Sequence, residues 1–383
     1  MPARTGGRRR ARPAGQPVPV LRIGLINIRG LLSSRTDPSR PAPGGPTYRS
    51  AVWLAGLAEL HGLDVLVVTE THTRHDRDHR QAMDHLSSTA QSLQGTGWEC
   101  LSDAPARLTE RGGTSGGVVL LARSGLCSQG LLRVVQRQPL QQPDAQVAAR
   151  IDDAAASGNV TTAHLAWGGH YLHLTGVYMP QQDGAQNELL DGVLGPLRAA
   201  AVAAHAQSIF AGDWNFVADY TLDRDQRSRR RPATGGDAQA ARLAAACPGL
   251  SDTFRRLHPR RKEWTYFQVR EEQAPQPGQP PTKKLAASRL DRFYVSDGLL
   301  PYVTACGVAD RCTVSDHRLV VLRLQARLPS SQGKGLRRMR AHYLRHDELR
   351  ERVNGFLAAQ LDAMPSDPDD PAVAQWWLAF KPR

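Results

Sequence analysis

The chain has 383 residues and a formal net charge of +13, from 49 Lys and Arg against 36 Asp and Glu. That length suits one large domain with appendages or two ordinary domains; the charge points to a polyanionic partner, nucleic acid first and an anionic membrane second. No apolar run is long enough to span a membrane, and no apolar signal core opens the chain. The five cysteines form no C-x-x-C pair, which favours a reducing setting, nuclear or cytoplasmic, over a secreted one.

Residues 1–20 carry Arg4, Arg8, Arg9, Arg10 and Arg12 and no acid, and form an expected disordered basic arm; a nucleic-acid contact, a nuclear address and a plain solvated tail all remain open. Leu21 to Ile28 is apolar and β-branched, a first strand ending in Asn27-Ile28-Arg29-Gly30. Residues 33–47 are a Ser, Pro and Gly rich loop. Ser50 to His61 has apolar residues at Val52, Leu54, Leu57 and Leu60, a helical spacing that Gly62 stops. Asp64 to Glu70 is a buried strand with a carboxylate at its C-terminal end, and Asp84 to Leu93 fits a helix. Gly116 to Ala122, Ala145 to Ile151, Val160 to Leu165 and Tyr171 to Tyr178 read as strands, the last two joined by Trp167-Gly168-Gly169 as a hairpin.

Gln186 to His205 reads as one amphipathic helix leading into Ile209-Phe210, the end of another buried strand. Residues 223–237 are a charged insert, expected as a mobile loop, and Ala238 to Ala246 a short helix. Residues 271–284 are a Gln and Pro rich loop ending in Lys283-Lys284. Leu290 to Val295 and Arg318 to Leu324 are the last two strands expected. Strands outnumber helices, and several follow one another without a helix between. Two mixed sheets packed face to face with helices outside fit this pattern better than a doubly wound sheet.

The polar residues of interest fall at strand ends. In Ile209-Phe210-Ala211-Gly212-Asp213-Trp214-Asn215, Gly212 allows a sharp turn, and Asp213 and Asn215 stand one strand period apart. Taken alone these two also suit an Asx turn. Asn27, Glu70, Tyr178, Asp291 and Asp316 with His317 occupy comparable positions on other strands. Catalytic groups gather at such ends, where the scaffold fixes them and loops admit substrate.

Asn27-Ile28-Arg29-Gly30-Leu31, Thr69-Glu70-Thr71, Val177-Tyr178-Met179-Pro180, Gly212-Asp213-Trp214-Asn215, Ser288-Arg289-Leu290-Asp291 and Ser315-Asp316-His317 occur in that order. In this order they resemble the successive motifs of the endonuclease/exonuclease/phosphatase superfamily, over roughly residues 20–325. The resemblance implies a DNase-I-like α/β (α+β) fold, a four-layer αββα sandwich, over residues 21–328.

Phosphodiester hydrolysis needs a nucleophilic water, neutralised phosphoryl oxygens and help for the leaving oxygen. Glu70 is a hard oxygen ligand suited to magnesium, with manganese as a substitute, and Asn27 can support that metal shell. Asp213 can orient or deprotonate the water, while Asn215 and Tyr178 can donate to phosphoryl oxygens. His317 can donate to the phosphate, with Asp291 fixing its tautomer and raising its pKa; Asp316 can accept from the site or help hold metal. These roles match what the resemblance implies. His72, His75 and His79 read as a solvated face rather than a metal cluster.

Apurinic endonucleases place an aspartate where this chain has Arg29. An arginine cannot ligate a cation, so more weight falls on Glu70, and Arg29, like Arg289, is assigned to substrate. Endonuclease domains of non-LTR (LINE-type) retrotransposons often lack that aspartate. Residues 329–383, with Gly333-Lys334-Gly335-Leu336-Arg337-Arg338 and Trp376-Trp377, resemble the segment that leads to a reverse transcriptase in such polyproteins.

The expectation is an endonuclease that nicks double-stranded DNA and leaves a 3′-hydroxyl for target-primed reverse transcription. It would be nuclear or cytoplasmic, with a fused or separate reverse transcriptase as partner and no membrane. Arg229–Arg231, Arg255-Arg256, Arg260–Lys262 and Lys283-Lys284 would supply phosphate contacts. The alternatives are a phosphatase acting on inositol or lipid phosphates and a decayed nucleic-acid-binding remnant without catalysis.

Overall fold

The computed structural model describes residues 20–30, 49–73, 84, 86–88, 91, 97–109, 113–128, 132–135, 145–225, 236–272, 282–309, 315–326, 347–364 and 373. The basic arm and the Arg229–Arg231 run lie outside these residues. The chain divides into two compact units, Met1–Arg327 and Leu328–Arg383.

In chain order the strands are β1 Val20–Asn27, β2 Val65–Thr69, β3 Trp98–Ala104, β4 Arg107–Leu108, β5 Thr114–Ser115, β6 Val118–Arg123, β7 Arg133–Val134, β8 Val160–Trp167, β9 His170–Tyr178, β10 Gln207–Asp213, β11 Leu250–Asp252, β12 Tyr266–Glu272, β13 Thr282–Ser288, β14 Asp291–Ser296, β15 Val303–Val308 and β16 Val320–Gln325. Twelve of them form two six-stranded mixed sheets, ordered β15-β16-β1-β2-β6-β3 and β11-β14-β10-β9-β8-β7. The main helices of the first unit are α1 Arg49–Leu60, α2 Ala145–Ala156, α3 Asp183–Leu189, α4 Gly195–Ala203 and α5 Gly236–Ala246.

The expected layering is present. Ile23, Leu25, Val65, Val67 and Leu120 of one sheet meet Leu172, Leu174, Ile209, Ala211 and Phe293 of the other in a buried core. Side chains alternate along a strand, so the intervening residues face outward. Ile26, Leu66 and Val68 pack under Leu54, Ala55 and Ala58 of α1. Val177, Phe210 and Trp214 pack under Leu189, Leu197 and Leu243, from α3, α4 and α5. The central strands β2, β6 and β10 are buried on both faces and read as nearly continuous apolar runs for that reason.

Trp167 pairs with His170 across Gly168 and Gly169, both at positive φ, so the hairpin closes on the tight turn the sequence suggests. Three expectations need correction. Ala145 to Ile151 lies in helix α2, not a strand. Val147 and Ile151 are half-buried and Ala154 is buried, an i, i+4, i+7 face, and its alanines favour helix. The segment read as one helix over 186–205 starts at Asp183 and contains a π-helical stretch, Leu190–Leu194. Pro196 has no N–H to give the preceding turn, and the wider turn accommodates its ring.

The third correction concerns strands and loops. β3, β7, β11 and β15 complete the two sheets beyond the strands expected, and β15 is made of small residues with little apolar signal. The ends of the 271–284 stretch pair as β12 and β13, while residues 273–281 lie outside the described set. Asp223, read as part of a mobile insert, is fully buried. Of the 84–93 helix, residues 84, 86–88 and 91 are helical and the rest lie outside the description. Among the described residues no helix is long and apolar enough to cross a membrane. The second unit contains one described helix, α6 Asp347–Asp362.

Candidate active site

Strand direction decides where the polar residues meet. β1 runs parallel to β2 and antiparallel to β16; β10 runs parallel to β9 and antiparallel to β14. The C-terminal ends of β1, β2, β9 and β10 and the entries to β14 and β16 therefore fall at one rim. Asp291 opens β14 directly opposite Asp213, which closes β10. Asp291 thus begins its strand and His317 precedes its own, rather than ending them. The two sheets are tied here by Asn27, whose Nδ2 donates to Asp213 Oδ2 at 2.9 Å.

The backbone is held in an unusual state at this rim. Arg29, Glu70, His72 and Asn215 all have φ near +50°, the left-handed region that L side chains seldom adopt. Such conformations persist where surrounding bonds impose them, and they concentrate at functional sites. Here the bonds are identifiable. Arg29 N–H donates to Asn27 Oδ1 at 3.1 Å, Gly30 N–H to the Glu70 carbonyl at 2.7 Å, and Asn215 N–H to Asp213 Oδ1 at 3.0 Å. Asp213 and Asn215 thus form an Asx turn and belong to the site together.

Asp213, Asp291 and His317 are all buried. His317 Nδ1 meets Asp291 Oδ2 at 2.8 Å, and its Nε2 lies 4.0 Å from Asp213 Oδ2. Burial opposes an imidazolium, but the facing and hydrogen-bonded Asp291 outweighs it, with help from Asp213 and Asp316; the pKa is pushed up to about 9. Burial and the neighbouring Asp291 push Asp213 up to about 6, against the pull of His317, the Asn215 amide and Asn27. At neutral pH the pair is a carboxylate able to take a proton beside an imidazolium able to give a hydrogen bond.

Glu70 sits apart from this pair. Tyr178 donates its hydroxyl proton to Glu70 Oε1 at 2.6 Å, while Oε2 lies 4.0 Å from His72 Nε2. Burial, then the adjacent Glu70, raise the Tyr178 pKa, so the phenol stays protonated.

A hard divalent ion fits this carboxylate. One oxygen is oriented by Tyr178, and Oε2 is left for a cation. The trio of Asp213, Asp291 and His317, whose ligand atoms lie within 4.8 Å of one another, suits a metal less well. An imidazolium has no lone pair to offer, and its other nitrogen is engaged by Asp291.

Several residues assigned by type occupy different roles. Asn27 is buried, with its nitrogen turned to Asp213 and its oxygen to the Arg29 amide, so it chiefly positions Asp213. Tyr178 has one hydroxyl proton and gives it to Glu70, not to an incoming phosphate. Asn215 Nδ2 donates to the Met179 carbonyl at 2.6 Å, which locks the turn. Asp316 is paired with Arg29, Oδ2 to Nη1 at 2.6 Å.

Arg289 requires correction as a substrate residue. It is 1% exposed, and its guanidinium spans Asp223 and Asp252, with bonds of 2.8 and 2.7 Å. Arg255 likewise pairs with Asp223 instead of facing solvent.

Two contributors carried no assigned role in the sequence reading. Ser315 Oγ donates to the Asn27 carbonyl at 2.7 Å and accepts from His317 N–H at 3.0 Å, joining the β1 and β16 ends. Its place two residues before His317 is a usable Ser-turn signal. Thr265 Oγ1 accepts from the amides of Leu290 and Asp291, each at 3.0 Å. Nothing near Thr265 in the chain announces that role.

A segment covering residues 25–317 matches the endonuclease/exonuclease/phosphatase family. No curated protein sequence matches the chain. Among solved structures, the chain is similar to the AP endonuclease LMAP from Leishmania major, at 18% identity and a TM-score of 0.52, covering 80% of this chain and 88% of that one. It is also similar to an AP endonuclease from Archaeoglobus fulgidus, at 12% identity and a TM-score of 0.50, covering 79% and 98%. These likenesses describe the fold. With the family match spanning β1 to His317 and enclosing the whole rim, the chain belongs to the endonuclease/exonuclease/phosphatase family.

Proposed function

We propose that the chain is a divalent-metal-dependent phosphodiesterase, with magnesium as the natural ion, that nicks double-stranded DNA and leaves a 3′-hydroxyl. The observation that carries this reading is the buried Asp213, held by Asn27 and Asn215, facing a His317 whose charge is maintained by Asp291. Asp213 takes the proton of the attacking water. The imidazolium of His317 faces the phosphoryl oxygen on which charge develops, and Asp291 keeps it oriented and charged. Glu70 would hold the ion through Oε2; when bound, the ion neutralises a phosphoryl oxygen and assists departure of the 3′-oxygen.

Two features favour a nucleic acid over a small phosphate ester. The net charge of +13 suits a polyanion. The β12–β13 ribbon is also anchored in the site: Tyr266 bridges His317, and Phe267 N–H donates to the Asp316 carbonyl at 3.0 Å. A two-stranded ribbon is one of the shapes a DNA groove admits. The exposed Arg256, Arg260 and Lys262 supply further positive charge. A 3′-hydroxyl at a nick can prime DNA synthesis, so a reverse transcriptase, fused beyond residues 329–383 or separate, is the proposed partner, with the nucleus as the place of action.

The test is nicking of supercoiled plasmid with magnesium and with EDTA, followed by polymerase extension from the nick. Phosphate release from inositol and lipid phosphates is measured in parallel. Nicking that requires the ion, supports extension and is lost in Asp213→Ala and His317→Ala is expected. Lipid or inositol phosphate turnover without nicking would overturn the reading, and nicking that survives both substitutions would displace the site.

A further inference from the structure

Four carboxylates meet at the rim: Glu70, Asp213, Asp291 and Asp316. Asp213 and Asp291 flank His317. Glu70 is oriented by Tyr178. Asp316 has a different counterpart, the Arg29 guanidinium at 2.6 Å.

This is not an ordinary surface ion pair, which is held by two floppy side chains and contributes little. Both partners stand on fixed backbone. Arg29 is pinned at φ +51° by Asn27 Oδ1 on its own amide, and by the Gly30-to-Glu70 bond just after it. The Asp316 carbonyl accepts from Phe267, and the preceding Ser315 is bonded to the Asn27 carbonyl. Asp316 Oδ1 is buried and meets no partner among the described residues. Arg29 is 57% exposed, and Nη1 is its only guanidinium nitrogen with an acceptor among them. One face of the fork is thus seated, and the other faces solvent at the mouth of the site.

We propose that Arg29 is the fixed cation of this site: seated on Asp316, it limits the site to one divalent ion, on Glu70, and presents its free nitrogens to the substrate phosphate. A permanent positive charge beside Asp316 repels a second ion from that carboxylate. It also provides what such an ion would supply, a positive charge facing a phosphoryl oxygen, in a bidentate shape that matches phosphate. Asp316 is then a positioning residue that acts through Arg29, and its carboxylate is not a metal ligand.

The experiment counts bound Mn²⁺ by electron paramagnetic resonance of the free ion during titration, without DNA. It uses the full chain and its Arg29→Ala, Arg29→Lys, Asp316→Asn and Arg29→Ala/Asp316→Asn variants. One ion on the parent, one on Arg29→Lys and a second on Arg29→Ala are expected, because only the alanine leaves Asp316 without a cation. The double variant returns to one ion, which separates a new site on Asp316 from a general loosening. Circular dichroism establishes that each variant is folded.

The inference rests on the metal-dependent nuclease reading, and the two fail differently. Two ions on the parent, or no additional ion on Arg29→Ala, overturn the role given to Arg29 while ion-dependent nicking by the parent still stands. No ion and no nicking by the parent overturn both.

Discussion

Replacing Asp291 with Asn tests whether His317 works as an imidazolium. The substitution keeps shape and an acceptor oxygen for His317 Nδ1, 2.8 Å away in the parent, but removes the charge. Burial already works against the charged ring, and Asp291 is the largest influence opposing it. Without Asp291 the pKa should fall from about 9 to its ordinary 6.5 or below. That difference corresponds to about 3 kcal/mol of lost preference for the charged form. Near pH 7.5 the imidazolium fraction falls from about 97% to about 9% or less.

Initial plasmid-nicking rates across pH should form a bell for the parent, with an acid limb near 6 from Asp213 and an alkaline limb near 9 from His317. In Asp291→Asn the alkaline limb should move below 7, and the rate at pH 7.5 and above should drop roughly tenfold or more. The same pairing should appear in stability. A raised His pKa contributes stability that is fully present below 6.5 and is lost as pH rises through about 9. Urea unfolding of the parent should show that loss, and Asp291→Asn should show little of it. An alkaline limb that stays near 9 in the variant refutes the imidazolium assignment.

Three further outcomes follow from the geometry. Tyr178→Phe removes the proton given to Glu70, so the apparent affinity for magnesium should weaken roughly 10–100-fold and nicking should recover at high magnesium; an unchanged magnesium dependence would show that the phenol does not orient the ligand. Arg289→Leu takes the guanidinium away from Asp252 and leaves Asp223 to Arg255 and Arg292; it should cost about 3–5 kcal/mol in urea unfolding, and a loss below about 1 kcal/mol would contradict the buried-pair account. Gly212→Ala places a methyl against the Val177 carbonyl where β9 and β10 run side by side at the site; the clash should cost about 3 kcal/mol or more, and a variant with parental melting temperature and nicking would falsify the close approach.

Much of the scaffold could be read locally. β1, β2, β9 and β10 are apolar runs bounded by turn residues, and burial on both faces makes such runs conspicuous. Trp167-Gly168-Gly169 carried its hairpin because two adjacent glycines accept the positive φ of the tight turn. α2 was misread because Val147, Ala148, Ala149 and Ile151 form a short apolar run whose period is ambiguous over seven residues. β15 was missed because its small residues carry no pattern, and its pairing to β16 supplies what the side chains do not.

The site was legible as a set of residue types at strand ends, and those types bound its chemistry. Carboxylates, an imidazole and amides can move protons and hold a hard ion, and Arg29 cannot ligate one. What the sequence by itself determined was therefore the residue types available for the rim and the family it resembles, without Ser315 and Thr265 and with Arg289 misplaced. Only the tertiary structure decided which member faces which. Register places Asp291 opposite Asp213, and the meeting of two sheets puts Asn27 against Asp213 across 186 positions of chain. Burial turns Arg289 from a candidate phosphate contact into the partner of Asp223 and Asp252, and the left-handed bend after Asn27 delivers Arg29 to Asp316. Hydrogen bonds and charges act over a few ångströms of space, and distance along the chain does not encode that proximity.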